Sequence, residues 1–267
     1  MSRKARQCGF PSFKGCRGFS EESLPCLAGL GETSPLLYCQ QSGNMAKCVA
    51  GNQACCYASN MKTVAILSQK GGAGKTTLAL HLATASEAAG RSTVVIDLDP
   101  QASAAGWKDS RTQEAPVVVS LPHTRLPQGL EAARNGGAKL VVIDTAPHSE
   151  AAALAAARAA DLVLIPCRPG ILDLRAISST AEMVKLVKTK AYVVLNAMPP
   201  RATQLLADAR AAVEVHGLDV APVVLQQRAA FAHALTAGAT APEYEPEGKA
   251  TEEIAAFMKW FQKVLPA

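Results

Sequence analysis

Nine consecutive residues, Gln69-Lys70-Gly71-Gly72-Ala73-Gly74-Lys75-Thr76-Thr77, combine three glycines, two lysines and two hydroxyls. Glycines let a backbone fold tightly and turn successive N–H groups toward an anion. A helix starting at the end of such a loop adds favourable partial charge for phosphate. In that setting Lys75 can reach the outer phosphates of a nucleoside triphosphate, and the Thr76 hydroxyl can ligate Mg²⁺. The motif means little without its flanks. Here the apolar run Thr63-Val64-Ala65-Ile66-Leu67 precedes it, and the helical pattern Leu78-Ala79-Leu80-His81-Leu82-Ala83 follows. Strand, glycine-rich turn and helix is the order that a phosphate-binding loop requires.

Two further sites place carboxylates directly after apolar runs. Leu140-Val141-Val142-Ile143 ends in Asp144, and Val94-Val95-Ile96 leads into Asp97-Leu98-Asp99-Pro100. A carboxylate at a strand end can hold Mg²⁺, in part through water. Asp97 and Asp99 alternate, so an extended chain would turn them to opposite sides, one toward a metal and one toward an attacking water. Hydrolysis of a phosphoanhydride asks for little beyond an oriented water and stabilised charge.

These residues need a scaffold that brings strand ends together. From Met61 onward, strands are expected at 63–68, 93–98, 117–120, 139–144, 161–166, 191–195 and 220–225. Helices are expected near 76–89, 124–134, 149–160, 173–188, 201–216, 227–237 and 250–264, with a loop over 238–249. Most strands are unbroken Val/Ile/Leu runs, the pattern of strands covered on both faces. Their alternation with helices predicts an α/β fold with a doubly wound, mostly parallel sheet. Ligands bind beyond the carboxyl ends of such strands. The phosphate loop, Asp97/Asp99 and Asp144 therefore converge on one edge.

Composition divides the 267 residues unevenly. Residues 1–60 carry six Lys/Arg against three Asp/Glu, and residues 61–267 carry 21 against 19. The longer part is near neutral, so global charge makes no case for nucleic acid. Seven of the eight cysteines (Cys8, Cys16, Cys26, Cys39, Cys48, Cys55 and Cys56) precede residue 60 without any CxxC pair. Their spacing is poor for zinc or iron–sulfur ligation, and a triphosphate-binding chain belongs in the cytoplasm, where disulfides are rare. Residues 1–60 are expected to form a poorly ordered extension in which Gly, Pro, Ser and Cys interrupt every regular pattern. An early-assigned start codon is an alternative origin for it, since Met61 directly precedes the first clear strand. A redox or metal-binding extension is the rival reading. Residues 61–267 are expected to form the phosphate-loop domain.

Taken together, KGGAGKTT, VVIDLDPQASA and VVIDTAP resemble the ParA/MinD family of Walker-type ATPases with a deviant phosphate loop. The resemblance runs from about residue 62 to the C-terminus. Within the family it is nearest to small ParA-type partition proteins, to which IPCRPGILDL, Gln226-Gln227-Arg228 and the short last helix are similar. The resemblance implies an ATPase using ATP and Mg²⁺, active as a homodimer that forms in the ATP state. Lys70 matches the family's signature lysine, which reaches across the dimer to the partner's nucleotide. Gly71, Gly72, Ala73, Gly74, Lys75, Thr76 and Thr77 match the phosphate and Mg²⁺ contacts. Asp99 matches the hydrolytic aspartate, Asp144 the Walker B aspartate, and Asp97 falls in the first switch, where a metal role is also open. Asn196 falls where relatives contact adenine, although an ordinary Asn turn explains it as well. Asp144-Thr145-Ala146-Pro147-His148 departs from the double proline of many relatives.

The resemblance further implies partition of a plasmid or chromosome, with nonspecific DNA and a ParB-like or ribbon-helix-helix centromere-binding protein as partners, in a nucleoid-associated cytoplasmic protein. Arg201, Arg210, Arg228, Lys185, Lys188 and Lys190 are candidates for a DNA face, or solvated helix charge. A MinD-like membrane-positioning ATPase is the alternative function. No membrane binding is expected, because Ile254, Phe257, Met258, Phe261 and Leu265 space as a core-facing stripe. Cys167 is expected to pack in the core.

Overall fold

The computed structural model describes residues 36–41, 44–49 and 61–266. Two units separate, Met1–Tyr57 and Ala58–Ala267. In the first, strands β1 (Leu36–Gln41) and β2 (Asn44–Val49) form an antiparallel pair in which Leu37 faces Cys48 and Cys39 faces Ala46. No strand was expected there. The other expectations for residues 1–60 lie outside the described residues.

The second unit is built on seven strands: β3 (Lys62–Ile66), β4 (Thr93–Asp97), β5 (Val117–Ser120), β6 (Leu140–Asp144), β7 (Leu162–Cys167), β8 (Ala191–Leu195) and β9 (Asp219–Val220). Their order is β5-β4-β6-β3-β7-β8-β9, and every pairing is parallel. The chain moves outward from β3 in both directions, which makes the sheet doubly wound as expected. β9 is shorter than the predicted 220–225. Pro222 has no N–H to offer the ladder, and pairing with β8 resumes only where Leu225 N–H donates to Leu195 O at 3.0 Å.

Period-two alternation sorts the strand residues onto two cores. Ala65, Ile96, Val141, Ile143, Val163 and Val193 face one side. There they meet α3 (Leu126–Asn135), α4 (Glu150–Ala159), α6 (Ile177–Val187) and α7 (Thr203–Glu214). Val64, Ile66, Val95, Val142 and Leu164 face the other side, against α1 (Lys75–Ala88), α2 (Ser103–Asp109) and α10 (Lys249–Val264). α1 packs on both the sheet and α10, so Leu78 through Thr84 are all buried. This is why the segment after the phosphate loop is apolar all round. Ile254, Phe257, Met258, Phe261 and Leu265 are buried as predicted, and Cys167 is buried too.

The helices depart from expectation in three places. The predicted 173–188 helix is two, α5 (Ile171–Arg175) and α6, meeting at Ala176. α2 was unforeseen. The predicted loop over 238–249 holds one turn, α9 (Ala241–Tyr244), closed by a capping box between Thr240 and Glu243. α8 (Ala229–Thr236) lies where the 227–237 helix is expected.

Candidate functional site

The loop between β3 and α1 is shaped by two glycines with left-handed backbone, Gly72 at φ +71° and Gly74 at φ +93°. At Gly74 the lack of a side chain is also steric: a Cβ there would lie 2.2 Å from Asn196 Nδ2. Asn196, just past β8, donates from Nδ2 to Ala73 O at 2.9 Å and so clamps the loop from the side. One of its two amide N–H groups is thereby engaged, so a structural role competes with the expected adenine contact.

Three strand ends lie in register beneath the loop. Asp144 pairs with Ile66 on one side and with Asp97 on the other. Thr145 Oγ1 donates to Ile66 O at 2.9 Å, and Leu98 N–H donates to Asp144 O at 2.9 Å. Asp97, Asp99, Asp144 and Lys75 form one electrostatic group. Burial, with repulsion from Asp97 and Asp99, pushes the Asp144 carboxyl up to about 7, against Lys75 and the nearby Thr76 hydroxyl. Thr76 stops short of a regular hydrogen bond, because both Asp144 oxygens are buried without a partner. Burial also lowers Lys75, and Asp144 and Asp99 pull it back. Its ammonium donates to Lys70 O at 3.3 Å.

The expectation that Asp97 and Asp99 turn to opposite sides is not met. β4 ends at Asp97, and the chain turns so that Asp99 N–H donates to Asp97 Oδ1 at 2.9 Å. Both carboxylates then act on Asp144. Asp97 Oδ2 accepts from Ala104 N–H at 2.9 Å, which tethers the start of α2. Loop shaping is thus its visible role, and Asp144 is the more direct metal candidate. Asp99 Oδ1 accepts from Gln101 N–H at 2.9 Å, and Asp99 remains partly open to the cleft.

The cleft measures about 1170 Å³. Gly72, Gly74, Lys75, Thr76, Thr77 and Asp99 line one part, and Asn196, Gln226, Gln227, Arg228 and Phe231 another. Lys70 lines a small adjoining recess with Ser68, Ala73 and Asp173. The sequence places Arg228 among the candidates for a DNA face or solvated helix charge. Instead its Nε donates to Glu253 Oε1 at 2.8 Å and its Nη2 to Gln226 Oε1 at 2.9 Å, inside the cleft wall. His81 also escaped the sequence reading. Nδ1 faces Thr77 O at 2.8 Å and Nε2 accepts from Ala241 N–H at 2.9 Å, which sets the Nδ1–H tautomer. Burial lowers this imidazole to about 4.

The residues present fit a magnesium–triphosphate. A side-chain-free turn ends on a buried ammonium and a hydroxyl, and an orphaned carboxylate waits beside them. Thr76 and Asp144 are the donor set, and the bound cation would supply charge neutralisation at the outer phosphates.

Residues 64–240 match the model of the CobQ/CobB/MinD/ParA nucleotide binding domain. The maintenance of carboxysome distribution protein A of Gloeobacter kilaueensis is 38% identical over 160 residues, 59% of this chain and 73% of that protein. Its namesake in Halothiobacillus neapolitanus is 32% identical over 203 residues, 72% and 92% of the two chains. The chromosome partitioning protein ParA of Caulobacter vibrioides is 30% identical over 173 residues, 49% of this chain and 65% of that one. In fold, the cell division ATPase MinD of Pyrococcus furiosus superimposes with a TM-score of 0.59 at 20% identity, covering 76% and 99%. MinD of Pyrococcus horikoshii, solved with Mg-ADP, gives 0.58 at 20%, covering 76% and 96%. By the match over residues 64–240, together with the strand order and the phosphate loop, the chain belongs to the ParA/MinD family of nucleotide-binding ATPases.

Proposed function

We propose that the protein hydrolyses ATP to ADP and phosphate as a dimerising switch that distributes a large cargo over DNA. The observation that carries this reading is the buried Asp144 carboxylate with no hydrogen-bond partner, set beside Lys75 and Thr76. A buried charge without a partner costs stability, and a Mg²⁺ bound with the nucleotide would offset that cost. Lys75 and Thr76 hold the outer phosphates and the cation, Asp99 orients the attacking water, and Asn196 keeps the loop in shape. Lys70 crosses to the nucleotide of the partner subunit and so couples ATP binding to dimerisation.

For the cargo, the Caulobacter relative, a chromosome partitioning protein, supports the partition reading, in which a ParB-like or ribbon-helix-helix protein would be the adaptor. The two carboxysome-distribution relatives, at higher identity, favour a second reading in which the cargo is a protein-bounded body. Both readings call for the same switch and the same nonspecific DNA track. A MinD-type amphipathic membrane anchor has less support, since the apolar stripe of α10 is buried.

The test combines ATPase assays, light scattering for mass and DNA co-sedimentation on the full chain. Mg·ATP should double the mass and bring the protein down with DNA, with binding that weakens steeply in salt. Lys70→Ala should bind ATP yet stay monomeric. Asp99→Ala should dimerise and bind DNA without releasing phosphate. ATP-dependent pelleting with anionic liposomes in place of DNA would overturn the reading.

A further inference from the structure

Three cations line the cleft: Lys75, Arg168 and Arg228. Lys75 faces Asp144 and Asp99, and Arg228 is held by Glu253. Arg168 differs from both. It is exposed and immediately follows β7, and its guanidinium forms neither an ion pair nor a hydrogen bond with any described residue. Its Nη2 lies 3.8 Å from where a Cβ on Gly72 would sit. The guanidinium therefore lies within contact distance of the phosphate loop.

The base of this side chain is well anchored. Asn196 N–H donates to Cys167 O at 2.8 Å, and the buried Cys167 thiol donates to Arg168 O at 3.1 Å. Two strand ends therefore set where the guanidinium starts. An unpaired planar fork of donors beside an anion cradle suits the oxygens of a phosphate chain, which it can grip in bidentate fashion.

We propose that Arg168 is a binding residue for the polyphosphate of the nucleotide, acting from β7 in addition to Lys75 and Lys70. This rests on the nucleotide reading of the cleft and extends it to a residue outside the phosphate loop. Arg168 gains most from the form with the greater negative charge, so it favours ATP over ADP.

Titration of the full chain with a fluorescent nonhydrolysable ATP analogue and with fluorescent ADP tests this without turnover. Arg168→Ala should weaken the ATP analogue about ten- to a hundredfold, the range for losing a charge-assisted contact, and ADP by less. Arg168→Lys should recover part of the loss. The slope of log Kd against log salt should fall in the alanine variant, because one cation has left the site. Unchanged affinity in Arg168→Ala overturns the inference. So does an equal loss of both nucleotides with an unaltered salt slope and no rescue by lysine, which would mark a structural role. Lys75→Ala separates the two levels. If it keeps full nucleotide affinity, the reading of the cleft itself fails. If it loses affinity while Arg168→Ala does not, only the inference about Arg168 fails.

Discussion

The ends of β4 and β6 are neighbours in register, and each closes on a buried aspartate. They are treated in opposite ways. Asp97 accepts N–H groups from Asp99 and Ala104, so burial raises its affinity for protons while these donors draw it back. Asp144 has no partner on either oxygen and is pushed up to about 7. Two carboxylates of the same type and depth thus serve different ends. The satisfied one gives the segment after β4 its shape and fixes the start of α2. The orphaned one, when ionised, is a cost to the folded chain that a proton or a bound cation would offset. Position at a strand end marks both as candidates, and only the count of hydrogen bonds separates structure from chemistry.

Removing the satisfied partner is the harsher break. Asp97→Ala leaves two backbone N–H groups without acceptors and should cost about 2–5 kcal/mol, read from urea unfolding. A loss below about 1 kcal/mol would show that the loop is held by other contacts.

Removing the orphan should do the reverse. Asp144 is held near 7 in the folded chain against 3.8 in the unfolded one, so the folded state binds more protons between those values. Metal-free stability is therefore highest below about pH 4 as far as this group is concerned, and it falls as pH rises through 7. Asp144→Asn cannot ionise and should raise metal-free stability at pH 8 by up to about 4 kcal/mol, the linkage cost of that shift. The same change should abolish stabilisation by Mg·ATP. Thermal melts with and without Mg·ATP check both halves. A variant that melts lower without ligand would break the contrast between the two strand ends.

A third buried group sharpens the comparison. Both His81 nitrogens are engaged, and protonation would turn the Nε2 acceptor against the Ala241 N–H. Its folded value of about 4 lies below the ordinary 6.5, so the unfolded chain takes up protons first as pH drops. Stability should fall from pH 6.5 toward 4, by about 2 kcal/mol between pH 7 and 5. In His81→Gln that slope should flatten in pH-dependent unfolding, even if the variant is less stable at pH 7.

Much of this was legible in the sequence, for physical reasons. Strands buried on both faces read as unbroken Val and Ile runs, so six of the seven main strands fall within about two residues of expectation. The rule that ligands gather beyond strand ends brought Lys75, Asp99 and Asp144 together correctly. The same rule applied to β7 points to Arg168, the first residue beyond that strand, as it points to Asp144, the last residue of β6. Thr240 and Glu243 carry a capping-box spacing that foretells α9. His81 offered no such signal. Its partner Ala241 is 160 residues away, and a lone histidine on an apolar helix carries no mark of what it will meet. The ion pair of Arg228 was hidden for the same reason, since Glu253 reaches it from another helix.

Asn196 tests the smallest difference. It was expected at the base of the nucleotide, and the structure joins it to Ala73 of the phosphate loop. The two roles leave different traces. A clamp on the loop matters to any nucleotide, so Asn196→Ala should weaken ATP, ADP and GTP alike by about three- to tenfold, the worth of one neutral hydrogen bond. A base contact would instead narrow the gap between ATP and GTP and spare the phosphates. Competition binding with the three nucleotides distinguishes these outcomes. A uniform loss would class Asn196 with Asp97, as a residue whose satisfied hydrogen bond builds the site that Asp144 serves.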